Sequence, residues 1–486
     1  MSELFQGKGG EGSRRRVLQL GFVVLVLAVL LVPLVAIPFA PVDEEAELQE
    51  LSPWPKLVED GKLNVDYLSE AGACFDDHFA FRQQLMTANA LVQSKLFGTS
   101  PTDQVVVGTD GWLYYGSTLA DYQRSDVMGE CMADNAAYNL ALMQEYVEGC
   151  GAEFVFTIAP NKNSVAAEHM PYYLLEGEGM RSADVLRAKL VERGVSYVDL
   201  FEPLSHDGAS LFMRTDTHWN GEGALIAYDS IMDALGKDHE DYRNAASFID
   251  GEFVGDLERM LLPLCPEPED FEVYEASQRF SYANDADAAT DAFICTKSDV
   301  PSSEGALLMY RDSFGNALLP FFATEFERAC FSKMIPYNLA DLKEQGASCV
   351  VVERAERHID FFATDPAIFP APVRAVSKPV RSIPSDATIA AKENGPYLQV
   401  EGELDPRYAA FGSKVYLVVT GEAQEGVWYE ASRMSIVQDE SVNDFGYRAY
   451  LDKSALPTEN KVVRLIVDSG DAVVELSQLS IEGDQE

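Results

Sequence analysis

The hydrophobic pattern changes character several times along this chain of 486 residues. Residues 17–40 carry no charge. At about 1.5 Å per residue in a helix they span about 36 Å, enough for a hydrocarbon core of about 30 Å. Arg14, Arg15 and Arg16 precede this run, and Asp43, Glu44 and Glu45 follow it. The positive-inside rule then predicts a cytoplasmic tail over 1–16, a single transmembrane anchor over 17–40 and everything later outside the cell. A cleaved signal peptide competes with the anchor, but its apolar core is ordinarily about 7–15 residues.

Residues 53–66 read as an irregular lead-in. Helical periodicity runs over 71–97, with Phe75, Phe79, Leu85, Ala88 and Leu91 on one side. His78 stands there beside Asp76 and Asp77 and reads as a surface or structural histidine. Two apolar runs, 105–107 and 112–115, flank Thr109-Asp110-Gly111 and predict a hairpin. From about 135 helices and strands alternate: helices over 136–147, 182–193 and 221–235, and strands over 154–158 and 195–200. Residues 266–304 are acidic and aperiodic and read as an insertion. Alternation resumes with strands at 306–310, 329–331 and 349–352 and helices at 316–322 and 339–345. Such alternation predicts a mostly parallel sheet with helices on both faces, and ligands at the carboxyl ends of the strands.

Beyond Pro370 the rhythm shortens. Pro370, Pro372, Pro379 and Pro384 punctuate a linker, and short alternating runs at 397–400, 414–419, 461–467 and 473–479 predict a β-sandwich of about 100 residues. The expected domains are therefore an α/β domain over 41–370 and a separable β domain over 376–486.

Composition narrows the function. Lys and Arg number 37 against 79 Asp and Glu, a net charge of −42. Nucleic acid is excluded as a partner, because phosphate recognition needs a basic surface. Docking of the folded part on anionic lipid is disfavoured for the same reason. The seven cysteines include no C-x-x-C, so zinc and thioredoxin-like chemistry is not indicated. In an exported chain Cys265 with Cys295 is the first disulfide to test, while Cys330 and Cys349 sit in apolar runs and read as plain core residues. No metal-ligand cluster or glycine-rich phosphate loop occurs, so no metal or cofactor is expected.

The candidate chemistry lies in two stretches. Asp216 stands two residues before His218, with Trp219 next. On an extended backbone the two side chains share a face, so Asp216 can orient the imidazole as the third member of a triad. The matching nucleophile is Ser313, between the apolar run 306–310 and the helix-like run 316–322. A serine on a strand-to-helix turn is presented at the end of a sheet, near the N–H groups of the new helix. Each half alone has an ordinary explanation, a chance Asp-x-His pair and an N-cap serine. Arg214 either orients the pair or a substrate carboxylate or makes an ion pair. Lys162 follows a strand end. Trp219 either stacks on a sugar or packs under the histidine. Asn316, one helical turn beyond the serine, either assists there or is an ordinary helix residue.

At Asp216-Thr217-His218-Trp219 and Asp312-Ser313-Phe314 the chain resembles the SGNH hydrolase-like domain of the alginate O-acetylation proteins of AlgJ/AlgX type, and more closely the DHHW proteins of bacterial surfaces. The likeness covers roughly 70–355. It extends to Asp77-His78-Phe79-Ala80-Phe81-Arg82, to Gly108-Thr109-Asp110-Gly111-Trp112-Leu113-Tyr114, to Pro160-Asn161-Lys162 and to Met170-Pro171. It implies an SGNH-like three-layer α/β/α fold with the Asp-x-His block before the serine. It implies a triad of Ser313, His218 and Asp216 and O-acetyl transfer onto an exported polysaccharide. The acyl donor is open, a membrane acyl-transfer protein being one source. In AlgX-like members a carbohydrate-binding sandwich follows the catalytic domain, and 376–486 is similar in placement. The chain departs from the pattern at Arg311, where many relatives have glycine or lysine, and at Ile335-Pro336-Tyr337, where DHHW proteins often carry an acidic residue near an Arg-Tyr pair. Transfer to water in place of a sugar hydroxyl would make the protein an esterase. A non-catalytic glycan-binding or assembly scaffold is the rival from another class.

Overall fold

Five short apolar runs of this chain pair side by side as parallel strands, and they organise everything around the candidate site. The computed structural model describes residues 9–37, 51–59, 61–284, 292–303, 305–421, 426–438, 441–458 and 460–482. Positions 1–8 of the expected tail, positions 38–40 of the uncharged run and the acids at 43–45 lie outside the described residues. One helix, Gly9–Ala36, is long and apolar enough to cross a membrane, with a mean hydropathy of 2.4 over Arg16–Pro33. The chain divides into two compact units, Met1–Gly116 with Val254–Glu269, and Ser117–Phe253 with Asp270–Glu486.

In the first unit the expected hairpin forms between Val105–Val107 and Leu113–Tyr115. Asp110 and Gly111 take φ of 55° and 81° in its turn, a conformation that suits glycine and is tolerated by aspartate. The single helix expected over 71–97 is two helices, Tyr67–Asp77 and Arg82–Val92, continued by a π-helical turn, Gln93–Phe97. The break is at Phe81, whose φ of 64° no helix accommodates. The apolar side read from the periodicity is not the buried one. Phe75, Leu85 and Leu91 are exposed, while Cys74, Thr87 and Ala90 are buried. Ala90 packs with Val105, Leu113, Leu257, Leu261 and Leu262.

In the second unit the sheet that carries the site is built from β1 (Glu153–Ala159), β2 (Tyr197–Val198), β3 (Phe280–Tyr282), β4 (Phe293–Ser298), β5 (Ala306–Tyr310), β6 (Arg328–Ser332) and β7 (Cys349–Ala355). They form one mixed sheet in the order β2-β1-β7-β5-β6-β4-β3. The first five in that order run parallel, and β4 and β3 are antiparallel to their neighbours. The stretch 266–304 is thus corrected from a plain insertion: it supplies β4 and β3, the two antiparallel strands that end the sheet on that side. On one face of the sheet Phe154, Phe156, Ile158, Leu308, Tyr310, Val350 and Val352 share a core with the helices α1 (Glu130–Gly149) and α2 (Ser182–Arg193). Alternate residues point the other way, where α3 (Gly221–Ala234) and α4 (Gly315–Glu325) pack together and against the strands.

The cysteine expectation is corrected too. Cys295 pairs with Cys330, not with Cys265. The two face each other in register on β4 and β6, with Cα atoms 4.1 Å apart. Cys265 is an exposed free thiol, and Cys349 is a buried one.

Residues beyond 370 form a six-stranded and a four-stranded sheet that enclose one apolar core. Leu398, Val400, Ala449 and Leu451 come from one sheet, and Val415, Leu417, Val463 and Leu465 from the other. Helix α1 seats against these strands through buried polar groups. Asn139 donates to the carbonyls of Phe362 and Arg433 and accepts from the N–H of Arg433. Asp134 holds the guanidinium groups of both Arg193 and Arg433. Tyr138 donates to the buried carboxylate of Glu430, which also binds Arg374.

Candidate active site

Ser313 lies where the sequence places it, on the turn between β5 and α4 at the carboxyl end of the parallel strands. The neighbouring Asp312 fixes that turn. One of its carboxylate oxygens accepts the N–H of Phe314 at 2.9 Å, and the other accepts the N–H of Ala355 at the end of β7 at 2.8 Å. The N–H of Asp312 itself donates to Glu353 on β7 at 3.2 Å. Glu353 is fully buried, and burial first, then the charge of Asp312, pushes its carboxyl well above the usual range. Burial and a neighbouring carboxylate both disfavour its charged form.

Asp216 and His218 do not share the face of a strand, as an extended backbone would have them do. They occupy a tight loop closed by the bridge between Phe212 and Trp219, with the N–H of Met213 donating to the carbonyl of His218 at 3.1 Å. The loop brings them together by a different route. One oxygen of Asp216 accepts the N–H of His218 at 2.9 Å and lies 2.6 Å from its Nδ1. The carboxylate thus closes a small turn on its own chain and contacts the ring in the same stroke. The hydroxyl of Thr217 stands 3.1 Å from the same nitrogen. The other ring nitrogen, Nε2, is 2.8 Å from Oγ of Ser313. With a carboxylate at Nδ1, the neutral imidazole carries its proton there and offers a lone pair to the serine. Phe314 packs edge-on against the ring at 4.7 Å between centroids.

The other candidates divide. Trp219 is only 1% exposed and packs edge-on against Phe314 at 5.0 Å, so of its two readings the structure has the packed one and not the sugar-stacking one. Lys162 is also buried, and its ammonium donates to the carbonyls of Arg214 and Asp216 at 2.9 and 3.0 Å. It supports the Asp216 loop from below and does not present itself to a substrate. Arg214 and Asn316 are exposed. Asn316 accepts from the guanidinium of the fully buried Arg311 at 2.5 Å. The support supplied by Asp312, Glu353 and Arg311 was missed in the sequence. One visible sign was the charged pair Glu353-Arg354 inside β7, directly after the apolar run 349–352.

Among the described residues the N–H of Ser313 has no recorded acceptor, whereas those of Asp312, Phe314 and Asn316 all do. A serine hydroxyl against an imidazole, the imidazole against a carboxylate and an uncommitted N–H at the serine are the parts that acyl transfer requires.

Residues 105–300 match a family model described as the SGNH hydrolase-like domain, acetyltransferase AlgX. A "Probable alginate O-acetylase AlgJ" of Pseudomonas syringae pv. tomato is 27% identical over 193 residues, which are 39% of this chain and 47% of that protein. The chain thus spans about half the length of the curated relatives it matches. Among solved structures, a DHHW family protein from Eubacterium siraeum is similar at 19% identity and a TM-score of 0.41, over 53% of this chain and 92% of that one. The O-acetyltransferase domain of Pseudomonas putida AlgJ is similar at 18% identity and a TM-score of 0.36, over the same shares of the two chains. The model match and the AlgJ relative bear out the resemblance to the alginate O-acetylation proteins.

Proposed function

We propose that this chain is an SGNH-type O-acyltransferase that works outside the cytoplasm and moves an acetyl group onto hydroxyls of an exported or cell-surface polysaccharide. The observation that carries the reading is the chain of contacts from Asp216 through His218 to Ser313, at 2.6 and 2.8 Å. Nε2 of His218 takes the proton of Ser313 as Oγ bonds to the acetyl carbonyl of the donor. The tetrahedral intermediate collapses, the leaving group departs with that proton, and the acetyl stays on Ser313. A sugar hydroxyl then gives its proton to Nε2 and attacks the acetyl-serine, and Ser313 is regenerated when the imidazolium returns the proton to Oγ. Asp216 holds the tautomer and stabilises the imidazolium. The N–H of Ser313 donates to the oxyanion in both steps, a contribution of about 3 kcal/mol in comparable sites.

The helix Gly9–Ala36 serves in this reading as the membrane anchor, with the tail 1–16 in the cytoplasm and the anchor proper over 17–40. Residues 41–370 form the catalytic part, and 376–486 are a sandwich that engages the glycan. A disulfide between Cys295 and Cys330 fits an oxidising compartment. The acyl donor is a small activated acetyl compound or a membrane acyl-transfer protein.

A fluorophosphonate probe applied to the detergent-solubilised full chain tests the reading. Labelling is expected on Ser313 and is lost in Ser313→Ala. Transfer of acetyl from a chromogenic ester to a glycan panel separates transferase from esterase. A folded wild-type chain that takes no label leaves the scaffold reading in front.

A further inference from the structure

Resting on the reading of the site as one that acylates a glycan, we propose that the turn at 171–174 is an acceptor subsite, where Tyr172 and Tyr173 stack on uncharged sugar residues next to the one being acylated.

The sheet sets the place. β1, β7 and β5 run parallel and side by side. Neighbouring strands lie about 4.8 Å apart, so the carboxyl ends of β1 and β5 are about 10 Å from one another on one rim. Ser313 follows β5, and the stretch 160–181 follows β1. That stretch begins with Lys162, which holds the Asp216 loop. It continues with Glu168, whose carboxylate accepts the N–H of Ala209 at 3.2 Å, just ahead of the same loop. A polymer with one hydroxyl at Ser313 has its further residues within reach of this rim.

The turn stands out from firm anchors. The N–H of Leu174 donates to the carbonyl of Pro171 at 2.9 Å, which places Tyr172 and Tyr173 at the two central positions. Met170 and Pro171 are buried at its base. On the far side the N–H of Gly177 donates to the carbonyl of Tyr122 at 3.0 Å, and Arg124 pairs with Glu176 at 2.8 Å. A Cβ added at Gly177 would lie 2.1 Å from the carbonyl oxygen of Gln123, so glycine is what lets the two segments approach. Between these anchors Tyr172 is 89% exposed, Tyr173 52% and Leu175 72%. The two tyrosine rings meet edge to face with centroids 5.5 Å apart, so each limits the other's freedom and less is lost on binding.

Chemistry selects the occupant. A tyrosine ring offers an apolar face and a polar hydroxyl, with few rotamers to freeze. A sugar ring is its counterpart, with a face of C–H groups and a rim of hydroxyls. Residues 171–180 carry two acids, Glu176 and Glu178, and no base, on a chain of net charge −42. Segments that lie in a lipid interface are rich in Lys and Arg, so this tip does not suit a membrane. The same charge disfavours a polyanion at the turn, which leaves uncharged sugars. The stacking that Trp219 is too buried to perform falls to these two tyrosines.

Affinity electrophoresis of the detergent-solubilised full chain tests the proposal, in native gels cast with an uncharged β-glucan, an uncharged mannan or alginate. At least one uncharged glycan is expected to retard the wild type, and alginate is not. Tyr172→Ala combined with Tyr173→Ala should weaken that retardation by about tenfold or more in Kd, the scale on which aromatic anchors act. Tyr172→Phe combined with Tyr173→Phe keeps both rings and should keep most of the binding. Tyr282→Ala removes an exposed tyrosine from β3, at the end of the sheet, and should bind as wild type does. Fluorophosphonate labelling of the same proteins reads the nucleophile separately. A double-alanine chain retarded as strongly as wild type, no retardation by either uncharged glycan, or retardation by alginate alone each overturns the subsite and leaves a labelled Ser313 standing. A wild-type chain that is retarded but never labelled overturns instead the reading of the site as an acyl-transfer centre.

Discussion

The ammonium of Lys162 donates to the main-chain carbonyl of Asp216, 3.0 Å away, from beneath the loop whose carboxylate holds His218. The same group reaches the carbonyl of Arg214, so one side chain from the end of β1 ties down two points of that loop. Lys162→Met keeps the stem and removes both bonds. It is expected to lower the rate of acyl transfer by about tenfold to a hundredfold through a misplaced imidazole, with KM little changed. Steady-state kinetics on a chromogenic acetyl ester check this, and a change in KM alone would place Lys162 at the substrate instead.

Glu356 gives a pH prediction. It is buried beyond the end of β7 and accepts the N–H of Asn161 at 2.9 Å. Burial, and then the carboxylate of Asp121, push its carboxyl up to about 8. A carboxyl whose folded value is raised binds a proton more tightly when folded than when unfolded. Its contribution is therefore fully present below about pH 4.5 and is lost as pH rises toward 8. Glu356→Gln removes the titration and retains an acceptor. The variant should melt a few degrees above wild type at pH 8, with the gap closing by pH 5. A gap that stays constant with pH, read by thermal melts across that range, would remove Glu356 as its source.

Asn139 on α1 satisfies three main-chain groups at once, the carbonyl of Phe362 and both the carbonyl and N–H of Arg433. Asn139→Ala leaves all three buried and unpaired, at about 1–3 kcal/mol each before relaxation. A loss of at least about 3 kcal/mol in urea unfolding is expected. The same polar seat should keep the two halves together after a protease cut within 375–388. Size-exclusion chromatography of the nicked protein checks that, and separate elution of the halves would count against it.

The parallel core was legible because buried parallel strands are continuous apolar runs bounded by turns. Ala306–Tyr310 begins and ends where the pattern says, and the serine after it sits on the turn. The edge strands were not legible. Phe293–Ser298 mixes apolar and polar residues after an acidic stretch, and its buried polar residues Thr296 and Ser298 are satisfied by main-chain carbonyls of neighbouring segments, which the pattern does not reveal. Missing that strand also hid the disulfide, because the partner of Cys295 is decided by which strand lies beside it. Asp216 and His218 meet through a turn and not through the shared face of a strand, since a two-residue spacing serves either. Arg311 stood out only as a departure, for a sequence does not say that a cation is folded back over a glycine four residues on. The polar residues Asp134 and Asn139 of α1 are buried by the C-terminal sheets, and periodicity within one helix does not reveal a cover that comes from 294 to 299 residues further along.

The bond between Cys295 and Cys330 makes a closed circle of chain, and Ser313 is a member of that circle. A cut at any peptide bond inside it opens the circle without dividing the molecule. The exposed turn at 299–303 is such a place. A chain nicked there runs as one band on a non-reducing gel and as two after reduction, and the serine remains tethered to the sheet from its intact side and through the sulfur bridge. The segment bearing Ser313 is one that a single cleavage within the circle cannot release.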